Sequence, residues 1–196
     1  MPVLRQHDPN SPDPLIRPMV PASDQIRRLV WRMVWLVLCR WTPNPLHEWR
    51  CFVLRLFGAR IGCSNFIYPS AKIWAPWRLE TEDVVTISPD VSVYNVGGMR
   101  FGHHSIVSEG AYLCGATHDF KDPTFPMVSR PVVIGPCAWV CARAVVLPGV
   151  TVGEGAVLGA AAVAARNLDA WGVYAGNPAR LAGRRDPASA PLARGE

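Results

Sequence analysis

Residues 134–169 read, in successive groups of six, IGPCAW, VCARAV, VLPGVT, VGEGAV, LGAAAV and AARNLD. An aliphatic residue opens each group, and a small or aliphatic residue returns four places later. A strict period of six fits neither a helix nor simple strand alternation. It is typical of short strands joined by tight turns with Gly or Pro at the corners, although a Gly/Ala/Val-rich linker is the competing interpretation. Each group therefore predicts one flat side of a parallel β-helix, and three groups predict one coil.

The same period extends upstream with less regular residues. The residues that open the upstream groups are Ile61, Ile67, Ile73, Thr81, Ile87, Val93, Phe101, Val107 and Leu113. The phase slips by two residues after each full coil, which predicts bulges at the same corner of successive coils. The sequence thus predicts an all-β solenoid of about five coils over residues 58–169. Residues 119–133 break the period, and a loop of this length in a regular solenoid is usually functional.

The N-terminal part differs in character from the repeat. Residues 1–23 contain six prolines and no apolar period, so they predict an extended arm. Residues 24–57 predict two amphipathic helices rich in Trp and Arg, with Asp24 as the N-cap and a break at residues 43–45. The longest apolar run, residues 33–39, is far below the roughly 20 residues that cross a bilayer. The helices could lie in a membrane surface or cap the open first coil, and the two roles are compatible.

Composition limits the class of protein. The chain has 196 residues, of which 49% are hydrophobic, and its net charge is only +5. This mild charge favours small anionic ligands or a membrane surface and argues against a nucleic-acid partner. Six cysteines without CxxC spacing, and no secretory signal, predict reduced thiols in a cytoplasmic protein. Cys137 and Cys141 occupy small-residue positions of the repeat, so we expect them to serve packing instead of zinc binding.

Several motifs carry a resemblance to a known family. They are ATHD at residues 116–119, VIGPCAWVCARAVVLPGV at residues 133–150, VYAGNPAR at residues 173–180, and the segment 43–59. Over about residues 24–184 the chain resembles the hexapeptide-repeat acyltransferases, in the branch of the maltose, galactoside and nodulation-factor O-acetyltransferases. It is most similar there to the colanic acid biosynthesis acetyltransferases. The resemblance implies a left-handed coil and a homotrimer with active sites between subunits. It also implies acetyl-CoA as acyl donor, no metal, and a sugar hydroxyl of an exopolysaccharide or its lipid-linked precursor as acceptor.

The resemblance also assigns roles to individual residues. A sugar hydroxyl needs a base to become a nucleophile, and His118 matches the family's catalytic histidine. Asp119 is expected to orient the imidazole or hold the acceptor, and Asn95 and Trp139 are expected to contact the acceptor. The backbone N–H of Ala142 is expected to stabilise the oxyanion of the tetrahedral intermediate.

A coenzyme A site along the solenoid is implied in the same way. The residues expected to admit its pantetheine chain or to bind its phosphates and adenine are Ala142, Ala160, Arg166, Pro178, Arg180 and Arg184, with residues 170–196 as a cofactor-contacting tail. Cys141 replaces the family's usual Gly, and residues 161–162 replace a Gly-Ser pair, so the shape of the groove stays open. The alternative function is a non-catalytic or zinc-dependent, carbonic-anhydrase-like trimer, for which His103, His104 and His118 lack the usual spacing.

Overall fold

The structure is a computed structural model that describes residues 22–189. Almost all of the predicted arm, and residues 190–196 of the predicted tail, lie outside the described residues. Two helices come first, α1 (Ala22–Leu38) and α2 (His47–Leu56), as the sequence predicts for this segment. Asp24 is wrongly predicted as the N-cap, because it lies inside the first turn of α1 with its carboxylate 3.7 Å from the guanidinium of Arg78.

A parallel β-solenoid with three flat faces follows the helices. Face A consists of β1 (Arg60–Ile61), β4 (Leu79–Thr81), β7 (Met99–Phe101), β12 (Val132–Ile134) and β15 (Thr151–Val152). Face B consists of β2 (Phe66–Ile67), β5 (Thr86–Ile87), β8 (Ile106–Val107), β13 (Trp139–Val140), β16 (Val157–Leu158), β18 (Gly172–Ala175) and β19 (Arg180–Arg184). Face C consists of β3 (Lys72–Ile73), β6 (Ser92–Tyr94), β9 (Tyr112–Cys114), β14 (Val145–Val146) and β17 (Val163–Ala164). A hairpin of β10 (Ala116–His118) and β11 (Met127–Ser129) interrupts the coils. The turns between faces are called the AB, BC and CA corners below.

The predicted repeat is confirmed by the core of the solenoid. The residues that open the six groups have no exposed area and point inward: Ile134, Val140, Val146, Val152, Leu158 and Ala164. Five coils are complete on all three faces. A sixth begins beyond them, because Leu168 bridges to Val152 and β18 pairs in parallel with β16. The solenoid therefore continues past residue 169 and includes the first part of the predicted tail.

Gly or Pro stands at many corners as predicted, among them Gly135, Pro136 and Gly153 at the AB corner, but other residues take most of the left-handed positions there. Left-handed backbone is adopted at the AB corner by Val84, His104, Cys137 and Trp171, with φ between 54° and 61°. This conformation costs non-glycine residues roughly 1–2 kcal/mol each. Each of these residues donates its backbone N–H to the corner of the coil beneath it, as His104 does to Asp83 at 3.0 Å. The stacking of turns thus stabilises corners that the side chains alone would disfavour.

The first coil has no coil beneath it, so its outer carbonyls need other donors. Side chains of α1 and α2 supply them on all three faces, which confirms the packing role considered for the helices. The donors and acceptors are Trp31 Nε1 to Ile73 (2.8 Å), Trp35 Nε1 to Pro69 (3.3 Å), Arg50 Nε to Ile67 (2.6 Å), and Arg55 Nε and Nη2 to Ile61 (3.1 Å) and Gly62 (2.7 Å). Trp31 and Trp35, one helical turn apart, are buried at this junction.

Arg50 is the central residue of this cap, because it is fully buried. Besides Ile67, its guanidinium donates to Thr42 Oγ1 (2.7 Å), to the carbonyl of Pro43 (2.9 Å) and to the carbonyl of Asn44. These bonds hold the connection between α1 and α2 against the first coil.

All six cysteines are free thiols. Burial raises the pKa of both Cys39 and Cys51 to about 11, so each is a neutral thiol near pH 7. Burial also raises the pKa of Cys137 and Cys141, which agrees with the packing role predicted for these two residues. In the described part of the chain, no group of three or more His, Cys, Asp or Glu could hold a metal ion.

We predict that Arg50→Met lowers the free energy of unfolding by about 3 kcal/mol or more, because several buried acceptors lose their donor at once. Arg55→Met is the matched control. It also removes two bonds to first-coil carbonyls, but these lie at an exposed edge where water can replace the guanidinium, so a loss below about 1 kcal/mol is expected. Chemical denaturation of both variants at one protein concentration measures the difference, and equal losses would contradict the capping role of Arg50.

Candidate active site

The hairpin that carries His118 leaves the solenoid at the CA corner. It begins after β9, and Gly115 marks its base: the Gly115 N–H donates to Tyr94, and its carbonyl accepts from Arg130 at 3.0 Å. A Cβ at Gly115 would lie 2.6 Å from the Tyr94 oxygen, so only glycine fits there. The segment 119–133, predicted as a loop, contains β11 and the start of β12. Its irregular part is the hairpin connection, residues 119–126.

The imidazole of His118 is exposed, and one backbone atom orients it. Nδ1 of His118 lies 2.8 Å from the carbonyl oxygen of Phe125. A carbonyl can only accept, so Nδ1 carries the proton and Nε2 of the neutral ring keeps its lone pair. This is the tautomer that a general base requires, with the free nitrogen away from the hairpin backbone.

The connection of the hairpin is braced by its own acidic residues. Oδ1 of Asp119 accepts from the backbone N–H of Lys121 at 3.0 Å, and Oδ1 of Asp122 accepts from the N–H and Oγ1 of Thr124 at 2.8 Å each. The two bonds from Thr124 lower the pKa of Asp122. The bond that orients His118 thus comes from a backbone carbonyl, where Asp119 was expected to supply it. A contact between Asp119 and the acceptor stays a prediction.

Asn95 was predicted to contact the acceptor, and the structure contradicts this. Its side chain is fully buried inside the solenoid. Oδ1 accepts from the backbone N–H of Ala75 at 3.0 Å, and Nδ2 donates to the carbonyl of Ala75 at 2.7 Å. Asn95 therefore links two coils, and its amide is unavailable to a sugar.

Ala142 and Ala160 lie at the BC corner, one coil apart. The carbonyl of Ala142 accepts from the N–H of Ala161 at 2.9 Å, which stacks the two turns. The N–H groups of Ala142 and Ala160 donate to no other residue within the described range 22–189. Both N–H groups are thus available to a ligand, and neither side chain obstructs the approach.

Trp139 lies on face B beside the same corner. Its indole is 44% exposed, and Nε1 donates to Oγ of Ser108 at 2.9 Å. The hydrogen bond fixes the ring, a flat apolar surface, toward Ser108 at the BC corner of the coil beneath. The sequence analysis did not identify Ser108 as the partner of Trp139. The register of the solenoid could have indicated it, because Trp139 pairs with Ile106 in the neighbouring coil and Ser108 lies two positions after Ile106.

The residues expected to contact coenzyme A do not all lie at the same corner of the solenoid. Arg180 pairs with Ala175, and Ala175 lies next to Gly159. The segment around Pro178 lies against β17, because the N–H of Ala179 donates to the carbonyl of Val163 at 2.8 Å. Pro178 and Arg180 therefore join Ala160 at the BC corner. Arg184 pairs with Gly172 at the opposite end of β19, roughly 12 Å from Arg180 at strand spacing. Arg166 follows β17 and so lies at the CA corner.

Within one chain, the candidate base His118 and the candidate oxyanion donor Ala142 lie apart. Face C strands run from the BC corner, where Ala142 lies, to the CA corner, where the hairpin begins. Leu147 directly follows β14 and lies five positions after Ala142, so the two corners are roughly 15 Å apart. His118 lies farther out on the hairpin. The histidines of the zinc alternative are also separated, because His103 and His104 lie at the AB corner.

No family model matches this chain. It is 40% identical over 157 residues, 80% of this chain and 86% of the relative, to the Escherichia coli K12 protein named "Putative colanic acid biosynthesis acetyltransferase WcaF". A hexapeptide-repeat acetyltransferase from Vibrio cholerae shares 18% identity with a TM-score of 0.77, covering 85% of this chain and 95% of that one. The same Vibrio protein solved with acetyl coenzyme A gives a TM-score of 0.75, with 17% identity over 86% and 92% of the two chains. A maltose O-acetyltransferase from Clostridium difficile gives 0.71, with 18% identity over 85% and 90%.

These similarities each cover 80% or more of the chain, and they confirm the resemblance drawn from the sequence motifs. The three solved structures share the fold, and the Escherichia coli protein is similar over most of both sequences. The chain therefore belongs to the hexapeptide-repeat acetyltransferases with a left-handed β-helix, in the group of the colanic acid biosynthesis acetyltransferases.

Proposed function

We propose that this protein transfers an acetyl group from acetyl-CoA to a sugar hydroxyl during the synthesis of an exopolysaccharide or another cell-surface polysaccharide. The family assignment and the colanic acid relative support the pathway class. The Vibrio cholerae structure with acetyl coenzyme A and the maltose O-acetyltransferase support the donor and the acceptor class. The observation that carries the proposal is the His118 ring, whose Nδ1 is held by the Phe125 carbonyl.

In the proposed mechanism, Nε2 of His118 removes the proton of the sugar hydroxyl as the oxygen attacks the thioester carbonyl. The Phe125 carbonyl accepts from Nδ1–H and so stabilises the imidazolium that forms. The Ala142 N–H donates to the oxyanion of the tetrahedral intermediate. Collapse of that intermediate breaks the carbon–sulfur bond, and the imidazolium returns its proton to the leaving thiolate. The products are the acetyl ester and free coenzyme A.

The active site of this proposal needs two copies of the chain. The roughly 15 Å between corners keeps Ala142 of one chain away from His118 of the same chain. A neighbouring copy would bring its BC corner to the hairpin, and three such contacts close into the homotrimer that the sequence resemblance implies.

Coenzyme A is proposed to run along the BC corner. The small side chains of Ala142 and Ala160 allow the pantetheine to approach backbone groups, while Arg180 and Pro178 offer a cation and an apolar surface to the nucleotide. Trp139 would then form the wall against which the sugar ring packs. Arg166 and Arg184 lie at other corners, so a role for them requires contact across the subunit boundary.

We predict that His118→Ala lowers kcat by a factor on the order of 10² to 10⁴ with acetyl-CoA affinity unchanged, because only the proton transfer is lost. His103→Ala, at the AB corner, is the control and should retain activity. Steady-state kinetics with labelled acetyl-CoA and candidate sugars measures both. A His118→Ala enzyme with normal kcat would contradict the mechanism.

We further propose that α1 attaches the protein to the inner face of the membrane. None of the helices within residues 22–189 is long and apolar enough to cross a bilayer. However, α1 has a second apolar face opposite Trp31 and Trp35, which we call the outer stripe. It consists of Ile26, Leu29, Val30, Met33, Leu36 and Val37, each between 47% and 66% exposed. Exposed arginines, Arg27, Arg32 and Arg40, accompany the stripe, as in helices that lie in an anionic lipid surface.

We predict that the protein sediments with vesicles containing anionic lipid and that added salt weakens this binding, since each interfacial Arg contributes about 1 kcal/mol through a screened field. The double variant Val30→Asp, Val37→Asp should lose the binding. Leu181→Asp, the same type of change on exposed β19, should keep it. Because α1 and α2 cap the solenoid, point variants are better tests than deletions. Equal sedimentation of the double variant and the wild type would contradict membrane attachment through the stripe.

A further inference from the structure

A groove of about 700 Å³ separates α1 from face C of the first coils. It follows α1 from Arg28 to the end of the helix at Leu38, which is roughly 15 Å at helical rise, and it also includes Arg40 just beyond the helix. On the solenoid side it is bounded by β3, β6 and β9. Ala142, Ala160, Pro178 and Arg180 are not among its lining residues, so the groove is separate from the proposed coenzyme A path.

The chemistry of the groove combines apolar walls with one sign of charge. Its floor and sides include Trp31, Trp35, Ile73 and Val93. Four cationic residues line it, Arg28, Arg32, Arg40 and Lys72, and no Asp or Glu is among the lining residues within the described part of the chain. An apolar cleft with this charge fits a long hydrocarbon chain that ends in an anionic group.

The cations of the groove are available to a ligand. Arg32, Arg40 and Lys72 are exposed and make no ion pair with any other described residue. Arg28 lies with its guanidinium 4.3 Å from the ring centroid of Trp74, and its buried Nε has no hydrogen-bond acceptor within residues 22–189. Burying a donor without an acceptor is unfavourable, and an anion in the groove would supply one.

The position of the groove connects the outer stripe to the catalytic base. Leu29, Met33 and Leu36 belong to the stripe and also line the groove, so the two apolar surfaces are continuous. At the other side, the groove reaches Tyr94, whose carbonyl accepts from Gly115 at 2.7 Å. Gly115 is the base of the hairpin and precedes His118 by three residues, roughly 10 Å of strand.

We propose that this groove binds the hydrocarbon chain and the phosphate of a lipid-linked saccharide, with the saccharide extending toward the hairpin for acetylation. This inference rests on the proposed function. The chain would enter from the bilayer along the outer stripe, and the phosphate would pair with Arg32 and Lys72. A phospholipid has the same combination of chain and phosphate, so the test below includes dodecyl phosphate as a stand-in for the saturated chain and phosphate of membrane lipid.

The test is a binding titration of the full-length protein with geranylgeranyl diphosphate, followed by the fluorescence of the tryptophans that line the groove. We expect saturable binding that geranylgeraniol and inorganic pyrophosphate, which represent the chain and the charge alone, do not reproduce. The double variant Arg32→Glu, Lys72→Glu should bind on the order of 10-fold more weakly or worse. Arg60→Glu reverses an exposed charge on face A and is the matched control, with affinity expected to be unchanged.

A second variant, Ser92→Trp, fills the groove without changing charge and should also abolish binding. Absent binding, or equal affinity in the wild type and both groove variants, would overturn the proposal. Equal binding of dodecyl phosphate would assign the groove to membrane lipid and overturn the acceptor role. The titration measures binding and not acetyl transfer, so the two proposals can fail separately. A wild-type protein without acetyltransferase activity would contradict the proposed function, whereas a wild-type protein that does not bind the probe would contradict the proposed lipid site in the groove.

Discussion

The hydrogen-bonded ladder between coils is the constraint on which the structure depends. Each coil satisfies the backbone of its neighbour, so the strands must repeat in register and the inward positions take mostly small or aliphatic residues. The first coil has no neighbour, and its open carbonyls would be unpaired without the donors of α1 and α2. Arg50, buried and bonded to the first coil and to the helix connection, shows how much of the N-terminal segment serves this end. The same placement leaves the opposite face of α1 free for another partner.

The sequence predicts the solenoid well because each inward position is determined by hydrophobicity alone, as Ile134 and Leu158 illustrate. It predicts polar positions less well. Asn95 looks like a site residue in a repeat of apolar ones, yet its amide pairs with Ala75 in the interior. The hairpin forms because β10 pairs with β11, and neither of these short strands follows the six-residue period of the solenoid. The Phe125 carbonyl that orients His118 is a backbone atom, so no residue type could have marked it.

The arrangement of corners determines how the parts of the proposed site are distributed over the chain. Successive coils place Ala142, Ala160 and Arg180 along one edge, while the single hairpin carries His118 from another. Because face C separates these edges, one copy contains the parts of the proposed site without bringing them together. The groove beside α1 lies at the end of the same face. The proposed membrane contact, acceptor site and catalytic base therefore follow one another along a single side of the molecule.

The central claim is that each active site combines His118 of one copy with the BC corner of another, and a mixing experiment tests it most directly. His118→Ala and Ala142→Trp chains would be inactive alone and would be co-expressed with different affinity tags to isolate mixed oligomers. If sites form between copies, one of the three interfaces in each mixed trimer joins an intact hairpin to an intact corner, so about one third of the wild-type activity returns. Mixed oligomers that stay as inactive as either parent would contradict the claim.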